Sequence, residues 1–483
     1  MPDARNLGDT LAGGGSEIAL IDMAAGSRRF SFDELNDAAA ARAAEAAELR
    51  GQRVGLLGAN SAALVAALFG VMRAGAVAVP MSTKLTNDTL AFITRDAELA
   101  TVYVDEQNAG RLPAGLSMRA LHVRPPSCDA RPSVRPEPNE AGLVLYTSGS
   151  TGPPKGVELS HASQWSMIDG LKSRLGGATA IVAAPLYHMN GLLFLMSVLA
   201  GRGTVVLMPR FDARNYLQAI HDWRVNIITG VPTMLSLLLK ETDLLDRLDL
   251  TSVAAIQVGS APLSETLIEQ VSVRFPNARI SNGYGTTEAG AGMFGPHPEG
   301  IAVPSASLGH PQPHVGIRLV GGTHPGEGVL EVLTPAAMNR YLNLPDKTAA
   351  KLSSDGWINT GDIMRRDAHG FFYFVGRADD MFKCGGESVY PGEVERVLEA
   401  DPRIAESCVI PVPDDVRGFK PVAFVTIAMG HHLTEQAVKD VALAGAPAFM
   451  HPRHVFFVET MPLAGTNKID RRALIERATA LLS

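Results

Sequence analysis

Residues 146–157 form a short segment in which glycines and hydroxyl side chains lead to one lysine. The segment reads Tyr-Thr-Ser-Gly-Ser-Thr-Gly-Pro-Pro-Lys-Gly-Val and directly follows the apolar run 143–145. Glycines let backbone N–H groups approach phosphate oxygens, hydroxyls donate further hydrogen bonds, and Lys155 supplies positive charge. Surface loops can have a similar composition, but this ordered pattern after an apolar strand favours a polyphosphate site. A Walker A loop is disfavoured because it needs Gly-Lys followed by Ser or Thr, whereas Gly156 follows Lys155.

Three further clusters carry groups that suit a nucleotide. Residues 282–288 place one aromatic ring between glycines and end in Glu288. The ring can stack on a flat base, and the carboxylate can ligate Mg²⁺ together with phosphate oxygens. Residues 360–362 and 376–377 supply a carboxylate and a guanidinium suited to ribose hydroxyls, and Lys468 lies on a loop near the C-terminus. Taken alone, each cluster is equally or more compatible with a surface turn or a solvated side chain.

Composition limits the class of protein. A chain of 483 residues exceeds the size of one hydrophobic core, so at least two domains are expected. The net charge of −7 gives no general attraction to nucleic acid or to anionic membranes. Three cysteines without C-x-x-C spacing argue against a disulfide framework and a zinc site and favour a reducing cytoplasm. No secretory signal is visible, and the apolar stretch 61–81 is interrupted by Arg73, so it is interpreted as a helix and a strand rather than a membrane span.

Strand and helix patterns alternate along the first three hundred residues, which predicts a mostly parallel α/β sheet and a second unit of similar style. Ser31 and Glu34 have capping-box spacing and begin a helix that runs to Leu49. Residues 105–141 are rich in proline and are expected to form an irregular connection that leads into the glycine-rich segment. Residues 309–373 are expected to form a small β-rich subdomain. The last hundred or so residues are expected to form a compact unit of their own, with a boundary near 376–380.

In this order and spacing, the clusters resemble the adenylate-forming superfamily of acyl-CoA synthetases, adenylation domains and luciferases, over nearly the whole chain. The resemblance implies an α/β N-terminal domain, residues 1–378, with several sheets and a small β-rich subdomain. It also implies a small, mobile α+β C-terminal domain, residues 379–483, that turns about Asp379. Such enzymes use Mg-ATP to convert a carboxylate to acyl-AMP and pyrophosphate, after which a thiol displaces AMP.

The resemblance also implies a role for each motif residue. Lys468 would bridge carboxylate and phosphate as the acyl-AMP forms, Thr287 would touch the α-phosphate, and Glu288 would hold Mg²⁺. After the domain turns, Gly385 and Gly386 would line the tunnel for the pantetheine thiol, although these glycines could also form only a hairpin turn. The β- and γ-phosphates would contact Thr147, Ser148, Gly149, Ser150, Thr151, Gly152 and Lys155. Tyr284 would stack on adenine, with Gly259, Ser260, Ala261 and Pro262 on the other side of the base and Asn282 near its amino group. Gly283, Gly285 and Thr286 would also contact the adenosine. Asp362 and Arg377 would hold the ribose.

The segment 185–191 resembles the part of CoA ligases that lines the acyl pocket. The predicted pocket residues are His188, Met189, Asn190, Gly259, Gly283, Ala289 and Gly290. Amino-acid-activating relatives place an aspartate near this segment, whereas this chain has His188 and Asn190, so amino acid substrates are disfavoured. His188 could gate the passage of the carboxylate and later of the thiol. The small, apolar residues after Glu288 predict a roomy, uncharged pocket floor. The loop 385–396 and the pair 467–468 resemble the aryl-CoA ligases of the benzoate type, and this resemblance implies an aromatic or medium-length apolar acid.

The leading hypothesis is therefore a cytoplasmic acid–thiol ligase that uses ATP, Mg²⁺ and coenzyme A, as a monomer or homodimer, without nucleic acid or stable membrane insertion. One alternative is an acyl-AMP ligase that loads the phosphopantetheine of a carrier protein. Another is a non-catalytic nucleotide- or acyl-binding homologue, which the joint presence of Glu288, Asp362, Arg377 and Lys468 disfavours. Luciferase-type oxidation stays formally open.

Overall fold

The structure is a computed structural model of the chain. It describes residues 5–123, 133–147, 153–259, 261, 263–322, 326–428, 430–463 and 469–482, and the side chain of Ser388 is not described. Four short 3-10 helices occur in the described part, at Leu7–Leu11, Met23–Ala25, Ala47–Leu49 and Ala109–Arg111.

The first 283 residues alternate between strands and helices, as the sequence predicts. The strands are β1 (Ile18–Asp22), β2 (Arg28–Ser31), β3 (Arg53–Leu57), β4 (Val77–Met81), β5 (Thr101–Val104), β6 (Ser117–Ala120), β7 (Ala141–Thr147), β8 (Lys155–Ser160), β9 (Thr179–Val182), β10 (Thr204–Leu207), β11 (Ile227–Gly230), β12 (Ala255–Gly259) and β13 (Arg279–Gly283). The helices are α1 (Phe32–Glu45), α2 (Ala62–Arg73), α3 (Asn87–Asp96), α4 (His161–Leu175), α5 (Met189–Ala200), α6 (Ala213–Trp223), α7 (Pro232–Lys240), α8 (Thr242–Arg247) and α9 (Glu265–Arg274).

These strands build two sheets that share one core. The first sheet has the order β13-β12-β11-β9-β10-β1-β2, and the second has the order β20-β8-β7-β4-β3-β5-β6, where β20 (Arg340–Tyr341) comes from a later part of the chain. Neighbouring strands are parallel except at one edge of each sheet, where β2 pairs with β1 and where β8 pairs with β7 and β20. The largest hydrophobic cluster contains residues of both sheets and of α1, α2, α4 and α5, so these helices fill the space between the sheets.

Local sequence signals explain how several helices begin. Ser31 caps α1 with a complete capping box, in which its hydroxyl accepts from the Glu34 N–H and the Glu34 carboxylate accepts from the Ser31 N–H. The α-helix ends at Glu45, and a separate 3-10 turn covers Ala47–Leu49. The predicted start of the helix is therefore correct, whereas the predicted end at Leu49 is four residues too late. Helix α2 is buried at nearly every position, which explains the continuous apolar run that the sequence shows.

Residues 285–377 form a smaller β-rich part. It contains β14 (Gly285–Thr286), β15 (Gly290–Ala291), β16 (Phe294–Gly295), β17 (His310–Pro311), β18 (Gly316–Val320), β19 (Glu327–Leu333), β20 (Arg340–Tyr341), α10 (Pro345–Lys351), β21 (Ile358–Arg366) and β22 (Phe372–Arg377). Strands β18, β19, β21 and β22 make an antiparallel sheet in that order. Strand β20 instead joins β8, and it thereby fastens this part to the preceding sheets.

The C-terminal part has its own sheet and cores. It contains β23 (Phe382–Cys384), β24 (Glu387–Val389), α11 (Pro391–Glu399), β25 (Ile404–Asp414), β26 (Gly418–Ile427), α12 (Glu435–Gly445), β27 (His454–Phe457) and α13 (Arg471–Leu482). The sheet order is β24-β23-β26-β25, with β27 also paired to β26. Its two hydrophobic clusters lie on opposite sides of β25 and β26, because Val409 packs in one cluster and Cys408 in the other. The predicted α/β fold class with a separate α+β C-terminal part is confirmed.

One sequence prediction is wrong. Residues 105–141 were expected to be irregular, but Ser117–Ala120 forms β6, which pairs in parallel with β5 at the edge of the second sheet. Three of its four residues are exposed, so the segment has no alternating apolar pattern to reveal a strand. Among the helices described, none combines the length and the apolar character needed to span a bilayer.

A charged contact at the start of α13 allows a test of this C-terminal architecture. Arg471 donates two hydrogen bonds to the buried Glu395 carboxylate, at 2.7 and 2.9 Å, and a third to the Val409 carbonyl at 2.7 Å. The variant Arg471→Met should lower the free energy of unfolding by about 2 kcal/mol, because it leaves Glu395 buried without its cation. Urea denaturation followed by circular dichroism measures the change.

The matched control is Arg472→Met, one residue along the same helix. The side chain of Arg472 is 90% exposed and, among the residues that the structure describes, pairs with Glu476, four residues later on α13. This substitution should change the free energy of unfolding by less than about 0.5 kcal/mol. Equal losses in the two variants would contradict the anchoring role of Arg471.

Candidate active site

The buried carboxylate of Asp362 joins two of the motifs singled out in the sequence. Asp362 lies in β21 and pairs directly with Arg377 at the end of β22, while Tyr284 follows β13. The Arg377 Nη1 donates to Asp362 Oδ1 at 3.0 Å, and the Tyr284 hydroxyl donates to Oδ2 at 2.5 Å. The residues that were expected to grip ribose and adenine are therefore in direct contact.

Burial and the neighbouring Arg377 have opposite effects on the Asp362 carboxyl. Burial raises the pKa of the Asp362 carboxyl, and the attraction of Arg377 offsets only part of that effect. Burial beside the Asp362 carboxylate also raises the pKa of the Tyr284 hydroxyl well above its usual value, so the hydroxyl stays a donor. Arg377 reaches further and donates to both oxygens of Asp379, at 2.7 and 3.2 Å. This ion pair connects the predicted ribose site to the predicted hinge.

A second cluster surrounds Glu288. The Tyr341 hydroxyl donates to Glu288 Oε1 at 2.7 Å, and the Lys155 Nζ lies 5.1 Å from the centre of the Tyr341 ring. Tyr341 belongs to β20, whose pairing with β8 places it opposite Val157, two residues after Lys155. Burial and the neighbouring carboxylate raise the pKa of the Tyr341 hydroxyl. The lysine of the glycine-rich segment and the predicted metal ligand thus meet at one tyrosine ring.

Sequence reasoning missed Tyr341 and Lys351. Lys351 ends α10, and its Nζ donates to the Thr360 carbonyl at 2.7 Å, two residues before Asp362. The Tyr341 backbone N–H donates to the Thr348 hydroxyl in the same helix. Neither residue lies in a glycine-rich motif, and the only signal available was the run of polar and charged residues between Tyr341 and Asp362.

Small residues bring the strands of the predicted adenine and acyl sites close together. Gly259 and Gly283 are paired residues of β12 and β13, and a Cβ on Gly259 would lie 3.0 Å from the Gly283 carbonyl oxygen. A Cβ on Gly285 would lie 2.7 Å from the Gly290 carbonyl oxygen. Asn282 donates through Nδ2 to the Ala306 carbonyl at 2.9 Å, which uses the donor side of its amide. Thr286 accepts the Ala289 N–H at 3.0 Å and so fixes the turn that carries Thr287 and Glu288.

Hydrogen bonds from Asn60 fix the backbone just before the segment that carries His188, Met189 and Asn190. The buried Asn60 amide donates to the carbonyls of Ala184 and Met208 and accepts the Leu186 N–H at 3.0 Å. His188 is the N-cap residue of α5, and its ring lies edge-on against Tyr187 with centroids 4.5 Å apart. Helix α4 packs along α5, and its Met167 Sδ accepts the Ala291 N–H at 3.1 Å. Through α4, the His188 segment is connected to the Ala289–Gly290 wall.

The predicted tunnel residues lie in a hairpin of the C-terminal part. Gly385 and Gly386 form the two-residue turn between β23 and β24, with φ angles of 60° and 90°. The Gly385 N–H donates to the Arg417 carbonyl, and a Cβ at either glycine would meet no described atom within 4 Å. The hairpin interpretation is therefore correct for the geometry, and the tunnel role stays a prediction.

Some predicted site residues lie outside the described residues. They are Ser148, Gly149, Ser150, Thr151, Gly152, Ser260, Pro262 and Lys468. At the borders of the glycine-rich segment, Thr147 ends β7 and pairs with Lys155 at the start of β8. Ala261 is described as a partly buried residue in the connection after β12.

Comparison with known proteins decides the family. The family described as AMP-binding enzyme matches residues 9–342, and the family described as AMP-binding enzyme C-terminal domain matches residues 393–468. The chain belongs to the AMP-binding enzymes. Within the adenylate-forming superfamily it falls in the acyl-CoA ligase branch, so it is an AMP-forming acid–thiol ligase, and the predicted resemblance is confirmed.

Individual relatives show the breadth of this branch. The chain is 32% identical to the fatty acid–[acyl-carrier-protein] ligase ScoC of Streptomyces coeruleorubidus, over 88% of this chain and 87% of that protein. It is 35% identical to 4-coumarate–CoA ligase 2 of Oryza sativa subsp. japonica, over 72% of this chain and 64% of that protein. The crystal structure of the anthranilate CoA ligase AuaEII with anthranoyl-AMP superposes with a TM-score of 0.87 at 26% identity, covering 100% of this chain and 99% of that one.

The close packing around the Ala289–Gly290 wall predicts how a substitution there would change stability. Gly290 has a φ of +78°, and an added Cβ would lie 2.5 Å from the Ala336 Cβ and 2.7 Å from the Met167 Sδ. Gly290→Ala should therefore lower the free energy of unfolding by about 1 kcal/mol for the backbone strain and a further 1–3 kcal/mol for the overlap. Chemical denaturation measures the loss.

Gly292→Ala is the matched control for this prediction. Gly292 has nearly the same φ, +77°, but an added Cβ would meet no described atom within 4 Å. It should show only the backbone part of the cost, about 1 kcal/mol. The close packing of the Ala289–Gly290 wall would be refuted if Gly292→Ala destabilised the protein as much as Gly290→Ala.

Proposed function

We propose that the protein is an ATP- and Mg²⁺-dependent acyl-CoA synthetase that activates an aromatic or medium-chain apolar acid and transfers the acyl group to coenzyme A. The observation that carries the proposal is the contact of Asp362 with both Tyr284 and Arg377. A buried carboxylate fixed by two donors still has lone pairs for further hydrogen bonds, because each carboxylate oxygen can accept two. It is thus ready to accept from the two hydroxyls of a ribose, beside an aromatic ring that can stack on the base.

Glu288 fits a magnesium ion that is shared with substrate phosphates. Its Oε1 is oriented by the Tyr341 hydroxyl, and its carboxylate lies in the same cluster as Lys155. Within the described ranges there is no group of three or more His, Cys, Asp and Glu side chains that could hold a metal alone. Mg²⁺ suits such a site, because it commonly binds through one or two carboxylates together with phosphate oxygens. When bound, the ion would neutralise phosphate charge.

The remaining steps are assigned to the C-terminal part. Residues 379–483 would turn about Asp379, whose ion pair with Arg377 must then break or re-form. Lys468 would neutralise the approach of the substrate carboxylate to the α-phosphate, since two unit charges about 4 Å apart repel by about 4 kcal/mol at an effective dielectric near 20. Arg471, at the start of α13, is anchored to Glu395 and to the Val409 carbonyl, so α13 would turn together with β25.

The acyl pocket is assigned to the wall of Ala289 and Gly290 together with the His188 segment. Ala289, Gly290 and Met293 are buried, and Gly290 contacts Met167, so this wall is apolar and uncharged. The 4-coumarate and anthranilate ligases among the relatives support an aromatic acid. The fatty acid–[acyl-carrier-protein] ligase favours a second candidate function, in which a carrier protein accepts a medium-chain acyl group.

A panel of carboxylic acids tests the proposal. Aromatic, medium-chain, amino and dicarboxylic acids are incubated with the protein, Mg-ATP and free coenzyme A, and pyrophosphate and thioester are measured. Pyrophosphate and a CoA thioester with an aromatic or medium-chain acid are expected. Thioester formation that requires a carrier protein would favour the second candidate, and no acid-dependent pyrophosphate release from any member would favour a non-catalytic homologue.

Substitution of Lys468 separates the two half-reactions. Lys468→Ala should lower acid-dependent ATP–pyrophosphate exchange at least about a hundredfold, because it removes the cation that offsets the repulsion between the converging carboxylate and phosphate. The same variant should convert chemically prepared acyl-AMP and coenzyme A to thioester at nearly the wild-type rate, which is measured by quenched flow. An equal loss in both half-reactions would contradict domain alternation.

A further inference from the structure

Lys351 lies at the point where the two clusters of the candidate site meet. It ends α10, which packs against β20 and β21, the strands that carry Tyr341 and Asp362. Its Nζ donates to the Thr360 carbonyl at 2.7 Å. A Cβ built on Gly361 would lie 3.8 Å from this Nζ and 3.5 Å from the Arg377 Nη2. Lys351 and Arg377 therefore present two cations to the same short stretch of backbone.

The surrounding charges belong to both clusters. Burial lowers the pKa of Lys351, the carboxylates of Glu288 and Asp362 act in the opposite direction, and the cations of Arg377 and Lys155 add to the lowering. Lys351 is thus close enough to the predicted metal ligand, to the predicted ribose ligand and to the lysine of the glycine-rich segment to interact with each of them.

The protein itself uses only part of the hydrogen-bonding capacity of Lys351. An ammonium group has three N–H donors, and within the described residues its single hydrogen bond is to the Thr360 carbonyl. No carboxylate of the described part lies within salt-bridge distance of Nζ. Asp362 is hydrogen-bonded to Arg377 and Tyr284, and Glu288 to Tyr341. A half-buried ammonium with one acceptor is costly unless a ligand completes its contacts. An anionic group is the ligand that fits.

The position identifies which anion this is, given the proposed function on which this inference rests. In ATP, the group that separates the ribose from the outer phosphates is the α-phosphate, and the same phosphate is retained in acyl-AMP and AMP. Lys351 ends a helix that packs both against β21, which carries the residue assigned to the ribose, and against β20, whose Tyr341 orients the residue assigned to the metal. We propose that Lys351 binds the α-phosphate of ATP, acyl-AMP and AMP, as a cation that belongs to the main body of the enzyme.

This position gives Lys351 a role different from that of Lys468. Lys468 is carried by the part that turns, whereas Lys351 is held by α10 and β21 and stays beside the nucleotide in both half-reactions. In the second half-reaction the thiol sulfur bonds to the acyl carbon, the thiol proton is released to solvent, and the bond from that carbon to the phosphate oxygen breaks. The electron pair of the broken bond leaves with AMP, so a cation beside this phosphate stabilises the leaving group.

Nucleotide binding tests the proposal without any substrate acid. Isothermal titration calorimetry with AMP and with adenosine is carried out on the wild type, Lys351→Met and Lys351→Arg. Lys351→Met should weaken AMP binding by roughly tenfold to a hundredfold, the range expected for a hydrogen bond between charged groups, and leave adenosine binding unchanged. Lys351→Arg should recover part of the AMP affinity, because it restores the charge but not the geometry of the ammonium.

The control variant is Lys347→Met, one turn earlier on the same helix. Lys347 is exposed and should be neutral for both ligands. Circular dichroism and thermal melts check that each variant is folded, and Lys351→Gln replaces Lys351→Met if the latter is not. In half-reaction assays, loss of Lys351 should slow both acyl-AMP formation and thioester formation, in contrast to Lys468→Ala.

Other outcomes separate this inference from the proposed function. If the wild type binds AMP more tightly than adenosine and Lys351→Met keeps the same ratio, the Lys351 inference is wrong while the proposed function stands. If both ligands weaken equally in Lys351→Met, the residue supports the ribose site or the fold, and the α-phosphate assignment is wrong. If the wild type binds neither ligand, both the proposed function and the inference fall.

Discussion

The arrangement of the nucleotide side of this site depends on one buried carboxylate, that of Asp362. It joins the segment after β13, through Tyr284, to the end of β22, through Arg377. Burying a carboxylate is costly unless donors replace its water, and these two side chains do so. Because Arg377 also binds Asp379, the same chain of contacts reaches the start of the C-terminal part. A displacement of the C-terminal part that moved Arg377 would therefore change the surroundings of the proposed ribose site directly.

Much of the fold follows from local patterns in the sequence. The capping box at Ser31, the buried strand before the glycine-rich segment and the alternation of strands with helices are all short-range signals, and the structure has each of them. Strand β6 was missed because its side chains are largely exposed and it lies at a sheet edge, where β5 is its one partner among the described strands. Edge strands of this kind are specified by backbone pairing, which leaves little trace in the sequence.

The candidate site divides in the same way. Motif residues such as Tyr284, Glu288 and Asp362 could be named because unusual residue types occur close together in the chain. Tyr341 and Lys351 could not be named, because neither belongs to a motif. The Tyr341 hydroxyl donates to Glu288, which is 53 residues away in the sequence. A tyrosine or a lysine in an ordinary helix or strand becomes informative only when the structure shows which buried charge lies beside it.

Glycines of similar appearance in the sequence also have different physical roles here. Gly290 and Gly385 both have positive φ angles, yet an added Cβ would overlap Ala336 at the first and meet no described atom within 4 Å at the second. At Gly290 the missing side chain allows close packing against Ala336 and Met167, whereas at Gly385 it allows a tight turn. A glycine-rich motif therefore predicts a special backbone more reliably than it predicts a ligand.

The distribution of charge explains how an acidic chain can hold an acidic ligand. The net charge of −7 repels a nucleotide at long range, but this repulsion is screened beyond about 10 Å at moderate ionic strength. Within that distance the relevant groups are the cations of Lys155, Lys351 and Arg377. Burial lowers the pKa of Lys351, and the repulsion of Arg377 and Lys155 adds to that lowering. Glu288 and Asp362 offset the mutual repulsion of these cations. Under the proposed function, a phosphate bound beside them would offset it further, so the repulsion among these cations would favour nucleotide binding.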